Sequence, residues 1–454
     1  MTAPAPPAPN EIERSVVRTL TWRLLPFLAL LYMFNILDRN NVTLAGPSLQ
    51  KDLNFSNTVY GFCGGLFFVG YFLLEVPSNL IMERVGARRW IARIMITWGA
   101  ISASMMFIRT PFSFGALRIL LGMAEAGFFP GIMLYLTYWV PRSARAQVIA
   151  RFLAMTAFVG IAGNPLSGAL LRMNHVHHLA GWQWLFLLEG IPSILLGLLV
   201  WVVLPNSPET TSWLTSEQKQ WIASSLEREN TNVHLVHHKS VFATLRDRRV
   251  LHVCLIFLIT SIGGNCAGFF APKLIIFRSG MTWPDWLVAN WLTVPAIFGV
   301  IAMVLAAGHS DRTGNRKMHV VAGYFLAGCC YLAFIIAPTP ELIILAMAVN
   351  TLGERVAAGS YWAVTTNLLG SRSAAGGIAF INSVGNLGGF IGPWMMGILL
   401  DRSHGNFTPG LVTGFVFMMG GVVASLLLPR RAPEHSAPPW PDAPPAESEP
   451  VSVP

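Results

Sequence analysis

Apolar runs long enough to cross a bilayer fill most of this 454-residue chain, and a polar stretch from Pro205 to Asp247 parts them into six and six. A hydrocarbon core of about 30 Å takes roughly 20 apolar residues per helix, and only helices or closed barrels satisfy their backbone groups there. The runs are long and continuous, so each reads as a helix. They lie near 24–46, 58–81, 90–108, 112–139, 148–171 and 183–204, then near 250–276, 286–308, 318–337, 341–369, 374–400 and 409–428. Charged residues make up only 12% of the chain, against roughly 25% in soluble domains. The expected fold is therefore an all-α membrane protein with twelve transmembrane helices in two six-helix bundles, 23–204 and 248–429, joined by a cytoplasmic linker at 205–247. Residues 1–22 and 430–454 are expected to be disordered, because their Pro/Ala-rich ends hold too little apolar content to pack.

Positive residues near span ends stay on the cytoplasmic side. With both termini assigned there, only Lys51, Arg109, Arg172, Lys273, Arg278 and Arg402 of the 31 lysines and arginines fall on outer segments, and three more lie within spans. The net charge of +9 is thus a topology signal and an attraction to anionic lipid, not a sign of nucleic-acid binding. The first apolar run is full length and follows an extended polar segment, so it reads as an uncleaved span. All five cysteines fall within spans, and no disulfide is expected. His175, His177 and His178 in an outer loop, and His234, His237 and His238 in the linker, read as solvated histidines rather than a metal site. No H-E-x-x-H, nucleophile elbow or phosphate-binding glycine loop occurs, so neither enzyme activity nor a cofactor is expected.

Ionisable residues deep in a bilayer are costly unless they face a cavity or a partner, so each is a candidate for function. Asp38 and Arg39 lie in the first span, and Arg118 and Glu125 in the fourth. Arg118 and Glu125 stand two helical turns apart, with Gly122 between them permitting close approach of another helix, and their shared face is expected to line a polar cavity. Asp38 and Arg39 are neighbours and must turn toward different helices. A guanidinium grips a carboxylate, and a buried carboxylate can take up a proton; together they describe coupled binding of proton and anion. Tyr71 could hydrogen-bond a hydroxylated substrate, or simply be buried against a local partner. A structural ion-pair network between spans one and four is the alternative.

A charged loop is written twice, half a chain apart: Glu83-Arg84-Val85-Gly86-Ala87-Arg88-Arg89 and Asp311-Arg312-Thr313-Gly314-Asn315-Arg316-Lys317. Loops diverge easily, so this repetition suggests a duplicated membrane unit. Twelve spans carrying this loop in both halves resemble the major facilitator superfamily. Leu37-Asp38-Arg39-Asn40-Asn41, Glu75-Val76-Pro77-Ser78-Asn79, the stretch from Arg118 to Gly131, Trp182-Gln183-Trp184-Leu185-Phe186 with Glu189-Gly190-Ile191-Pro192, and the stretch from Asn382 to Pro393 are similar to the anion:cation symporter family, which includes permeases for tartrate, phthalate and sugar acids.

The resemblance implies a bacterial inner-membrane carrier, monomeric, that imports a small organic anion with protons by alternating access. It implies Asp38 and Glu125 as protonation sites, Arg39 and Arg118 as tuning those acids or contacting the anion, and Tyr71, Trp362, Asn382 and Asn386 as cavity lining. By it, Glu83, Arg84, Gly86, Arg88 and Arg89, with Asp311, Arg312, Gly314, Arg316 and Lys317, would form a cytoplasmic gate. Asn79 and Glu83 depart mildly from the superfamily pattern, and Glu354-Arg355 in the tenth span is less expected. Arg355 precedes Trp362 by seven residues, on the same helical face, and is a candidate contact for a second anionic group, an internal pair with Glu354 being the alternative. Drug efflux and a transporter-derived membrane sensor are the rival readings; the short Pro-rich tail argues against a sensor's output domain.

Overall fold

A computed structural model describes residues 11–428 except 157, 234–246 and 314. The first bundle comprises α1 (Glu11–Arg23), α2 (Leu25–Leu53), α3 (Asn57–Val85), α4 (Ala87–Ser104), α5 (Pro111–Glu125), α6 (Phe128–Thr137), α7 (Arg142–Thr156), α8 (Val159–Leu171) and α9 (Gly181–Val203). After α10 (Ser216–Val233) the second comprises α11 (Arg248–Gly268), α12 (Ala271–Arg278), α13 (Asp285–Trp291), α14 (Thr293–Thr313), α15 (Arg316–Ile336), α16 (Pro340–Asn386), α17 (Gly388–Arg402) and α18 (Thr408–Leu426). Among the described residues, ten helices are long and apolar enough to span a membrane, and the bent pair α1 and α2 makes an eleventh. The remaining expected span is broken into α7 and the short apolar α8.

Local chemistry explains where helices start and break. Thr110 and Ser113 form a reciprocal capping box at the head of α5, with Pro111 in the first turn. Pro130 cannot donate to the carbonyl four residues back, that of Ala126, so the fourth span breaks there. Gly127 takes a φ of +89° at the break, and Ser78 of α3 donates to the orphaned Ala126 carbonyl at 2.5 Å while accepting from Trp90 Nε1 at 2.9 Å. The break leaves Glu125 as the last residue of α5.

Three features differ from the sequence reading. Residues 11–23 are not disordered: α1 buries Val16, Val17, Leu20 and Thr21 against α2, α7 and α10. Part of the linker is folded too, since Gln218 of α10 donates to Ser15 at 2.9 Å and Trp213 stacks on Trp139. The tenth span and the start of the eleventh run on as one helix, α16, because no proline interrupts the chain between Pro340 and Pro393. The disorder expected at 1–10 and 430–454, and His234, His237 and His238, lie outside the described residues.

The bundles meet where α3 packs on α17, α8 on α13 and α14, and α2 on α12 and α13. At the end remote from the chain termini, Asp401 of α17 accepts from the backbone N–H groups of Asn57 and Thr58 at 3.1 and 2.7 Å, capping α3 across the bundle boundary. Lys273 of α12 donates there to Gln50 at 3.1 Å and to Asn57. These bonds clasp the two bundles together at the far end.

Candidate substrate and coupling site

Asp38 and Arg39 do turn to different helices. Asp38 is fully buried and points into the first bundle, accepting from Trp98 Nε1 at 2.7 Å, Ser102 Oγ at 2.6 Å, Ser193 Oγ at 2.7 Å and Asn41 Nδ2 at 3.4 Å. Four donors from α2, α4 and α9 replace the hydration a carboxylate loses on burial. Arg39 instead reaches α5, where Nε donates to Glu125 Oε1 at 3.0 Å and Nη2 to the same oxygen. The pair is asymmetric: Glu125 is fully buried, whereas the Arg39 side chain is 33% exposed. Glu125 Oε2 is buried without a partner.

Arg118 is turned toward α3 and shielded from solvent. It is 1% exposed and its Nε and Nη2 grip the Gly64 carbonyl of α3 at 3.2 and 3.0 Å. The face shared by Arg118, Gly122 and Glu125 is packed on α3 so tightly that a β-carbon at Gly122 would stand 2.0 Å from the Phe67 carbonyl oxygen. Phe67 lies between the two arginines, its ring 5.2 Å from the Arg39 guanidinium and 4.9 Å from that of Arg118. Tyr71, one turn on, is buried with its ring 5.3 Å from Arg39.

From the second bundle, Asn382 reaches this region by donating to Glu75 of α3 at 3.2 Å, and Ser383 donates to the other Glu75 oxygen at 2.5 Å. Trp362 is half-buried, edge-on to Phe257 and Tyr361. Asn386 is half-buried at the last position of α16. Arg355 is exposed in mid-α16.

A sequence profile of the Major Facilitator Superfamily matches residues 28–393 and also 287–449. The chain belongs to the major facilitator superfamily. A relative from Agrobacterium vitis, named a tartrate transporter, is 44% identical over 94% of this chain and 94% of its own length. A quinolone resistance transporter of Acinetobacter baumannii is 36% identical over 92% of this chain and 96% of its own. The solved bacterial homolog of the human lysosomal transporter Spinster, inward-facing and occupied, shares the fold at a TM-score of 0.73, covering 92% of this chain and 97% of that one at 16% identity. This chain is a major-facilitator transporter, not an enzyme.

The loops that mark the superfamily stand apart here. Glu83, Arg84 and Arg89 are exposed and form no ion pair with the second bundle among the described residues. Gly86 takes a φ of +93°, and Arg88 is half-buried. In the second copy, Lys317 donates to the Leu426 and Leu428 carbonyls at 2.7 and 2.6 Å, closing the end of α18 within its own bundle instead of reaching the other. Arg316 opens α15. The side chains of Asp311 and Arg312, and Gly314, lie outside the described residues.

Three functional candidates were absent from the charged set read from the sequence. Glu75 and Glu189 lie in predicted spans, and the cost of burying charge would have flagged both. Glu189 is fully buried, accepting from Ser167 at 2.6 Å through one oxygen while the other has no partner. The third is Tyr32, whose ring is packed among Phe128, Phe129 and Phe152; no sequence pattern distinguishes it from a core aromatic. A cleft of about 1450 Å³ opens at the far end, lined by Gln50, Lys51, Asp52, Arg172, Lys273 and Asp285 among others. It contains none of the expected site residues. Among the described residues no cluster of His, Cys, Asp or Glu is placed to hold a metal.

Proposed function

We propose that this carrier imports a small hydroxylated organic carboxylate of the tartrate kind together with protons, through a bacterial inner membrane with both chain ends in the cytoplasm. The asymmetric pair of Arg39 and Glu125 carries the reading. A partly exposed guanidinium held by one oxygen of a buried acid is open to exchange: a substrate carboxylate competes with Glu125 for Arg39, and a proton on the unpartnered Oε2 of Glu125 weakens its hold. Proton and anion then bind in a coupled way, since each favours the state the other needs. Asp38, one residue before Arg39, is the second candidate proton site; its four donors keep it in place while Arg39 exchanges partners. Arg118 supports the site from behind, by holding α3 to α5. Tyr71 stands beside Arg39, Asn382 approaches from the second bundle through Glu75, and Trp362 and Asn386 are assigned to the lining of the same cavity as part of this proposal.

The kinship with a protein named a tartrate transporter supports the substrate class, and the excess of Lys and Arg on the terminal side supports the orientation. The test is uptake into proteoliposomes with and without an inward proton gradient. Wild-type protein is expected to accumulate tartrate only with the gradient. Glu125→Gln, which cannot release a proton, is expected to lose gradient-driven accumulation and retain substrate exchange; intact uphill uptake by this variant refutes the assignment. Drug efflux, suggested by the Acinetobacter relative, predicts the opposite coupling, with substrate leaving as protons enter.

A further inference from the structure

The second bundle presents a cation without a hydrogen-bonded partner. Arg355 is exposed within the spanning part of α16, and no hydrogen bond or ion pair holds it among the described residues. Its neighbour Glu354 acts on it through space but turns to α11, with Oε1 2.9 Å from where a β-carbon at Gly264 would stand. The bare backbone of Gly299 on α14 makes room for the stem of Arg355, whose Cγ and Nε lie 3.7 and 3.8 Å from the position of a β-carbon there. A guanidinium at this depth is costly unless it faces a polar space or a ligand.

Tyr32 shows which space it faces. Three phenylalanines of the first bundle surround its ring, and its hydroxyl feels the charges of Arg39, Glu125 and Arg355 together. Arginines from opposite bundles thus both act through space on one hydroxyl. Arg39 already has a carboxylate partner in Glu125; Arg355 has no such partner.

We propose that Arg355 is a subsite for the second carboxylate of a dicarboxylate whose first carboxylate is taken by Arg39. This rests on the carboxylate reading of the Arg39 site given above. A substrate with two acid groups bridges the bundles and draws them together around it, whereas a monocarboxylate leaves Arg355 uncompensated. Specificity of this kind follows from charge left unpaired by the wrong ligand.

The experiment compares equilibrium binding of L-tartrate and of its monoamide, which differ by one carboxylate, to purified full-length protein. Wild type is expected to prefer tartrate by roughly tenfold or more. Arg355→Gln is expected to lower tartrate affinity to the level of the monoamide while leaving the monoamide within about twofold. Arg355→Lys keeps the charge without the fork and is expected to fall between the two; it also serves as the folded control if the glutamine variant melts early. Equal binding of both ligands by wild type, or an equal loss of both in Arg355→Gln and Arg355→Lys, overturns the subsite and leaves the Arg39 site standing. Binding of neither ligand by wild type overturns both.

Discussion

Arg39 is flanked on one side by the rings of Phe67 and Tyr71 and on another by a single oxygen of Glu125, and a third of its side chain stays exposed, which leaves it accessible to an entering anion. An ammonium would keep the charge and lose the planar fork. Arg39→Lys is therefore expected to weaken substrate binding by roughly tenfold or more, read as a reduced substrate-induced rise in melting temperature. The buried Asp38 makes a separate expectation: Trp98→Phe leaves its carboxylate one donor short and costs about 1–3 kcal/mol of stability, measured by thermal unfolding in detergent. That Asp38, Arg39 and Glu125 would be held inside the bundle as a charged group was legible because charge inside a membrane is expensive and hence rare. The position of Arg118 was not, because its partner is the Gly64 backbone carbonyl, which every residue carries. Its spacing from Glu125 placed both on one face, yet spacing alone does not say whether that face meets water or another helix.

At the level of elements, the joint between α3 and α5 depends on Gly122. Adding one methyl there sets a β-carbon against the Phe67 carbonyl and pushes Gly64 away from Arg118. Gly122→Ala is expected to destabilise by roughly 1–3 kcal/mol, seen as a lower melting temperature with parallel loss of uptake. The sequence marked this glycine as a close-approach point, and the spans were likewise readable from length and apolarity. The helix at the start of the chain was not: its charges Glu11, Glu13, Arg14, Arg18 and Arg23 masked a narrow apolar stripe that has meaning only with α2, α7 and α10 beside it. The break after Glu125 needs Gly127, Pro130 and Ser78 together, and Ser78 comes from a different helix.

In the whole molecule, polar clasps hold the two bundles together at the far end, through Asp401 and Lys273, and again at Glu75. Asp401→Asn removes the charge that caps α3 across the boundary, and is expected to shift the population toward far-end opening, by up to roughly tenfold. Increased modification of a single cysteine placed at Asn57 would report it; unchanged labelling argues that the cap is incidental. Glu75→Ala leaves Asn382 and Ser383 without their acceptor and is expected to slow substrate exchange while sparing the melting temperature. Between these clasps, α3 and α17 meet main chain to main chain. A β-carbon would stand 2.2 Å from the Pro393 carbonyl at Gly61 and 2.2 Å from that of Asn57 at Gly397, and one at Gly65 would stand 2.9 Å from the Phe390 α-carbon. At these three glycines there is no rotamer to reset when the seam parts and rejoins, whereas the rings of Phe62, Phe68, Phe390 and Trp394 interlock beside them. Turnover then depends on how readily the two backbones slide past each other at these glycines, so a single methyl added at one of them should act as a brake.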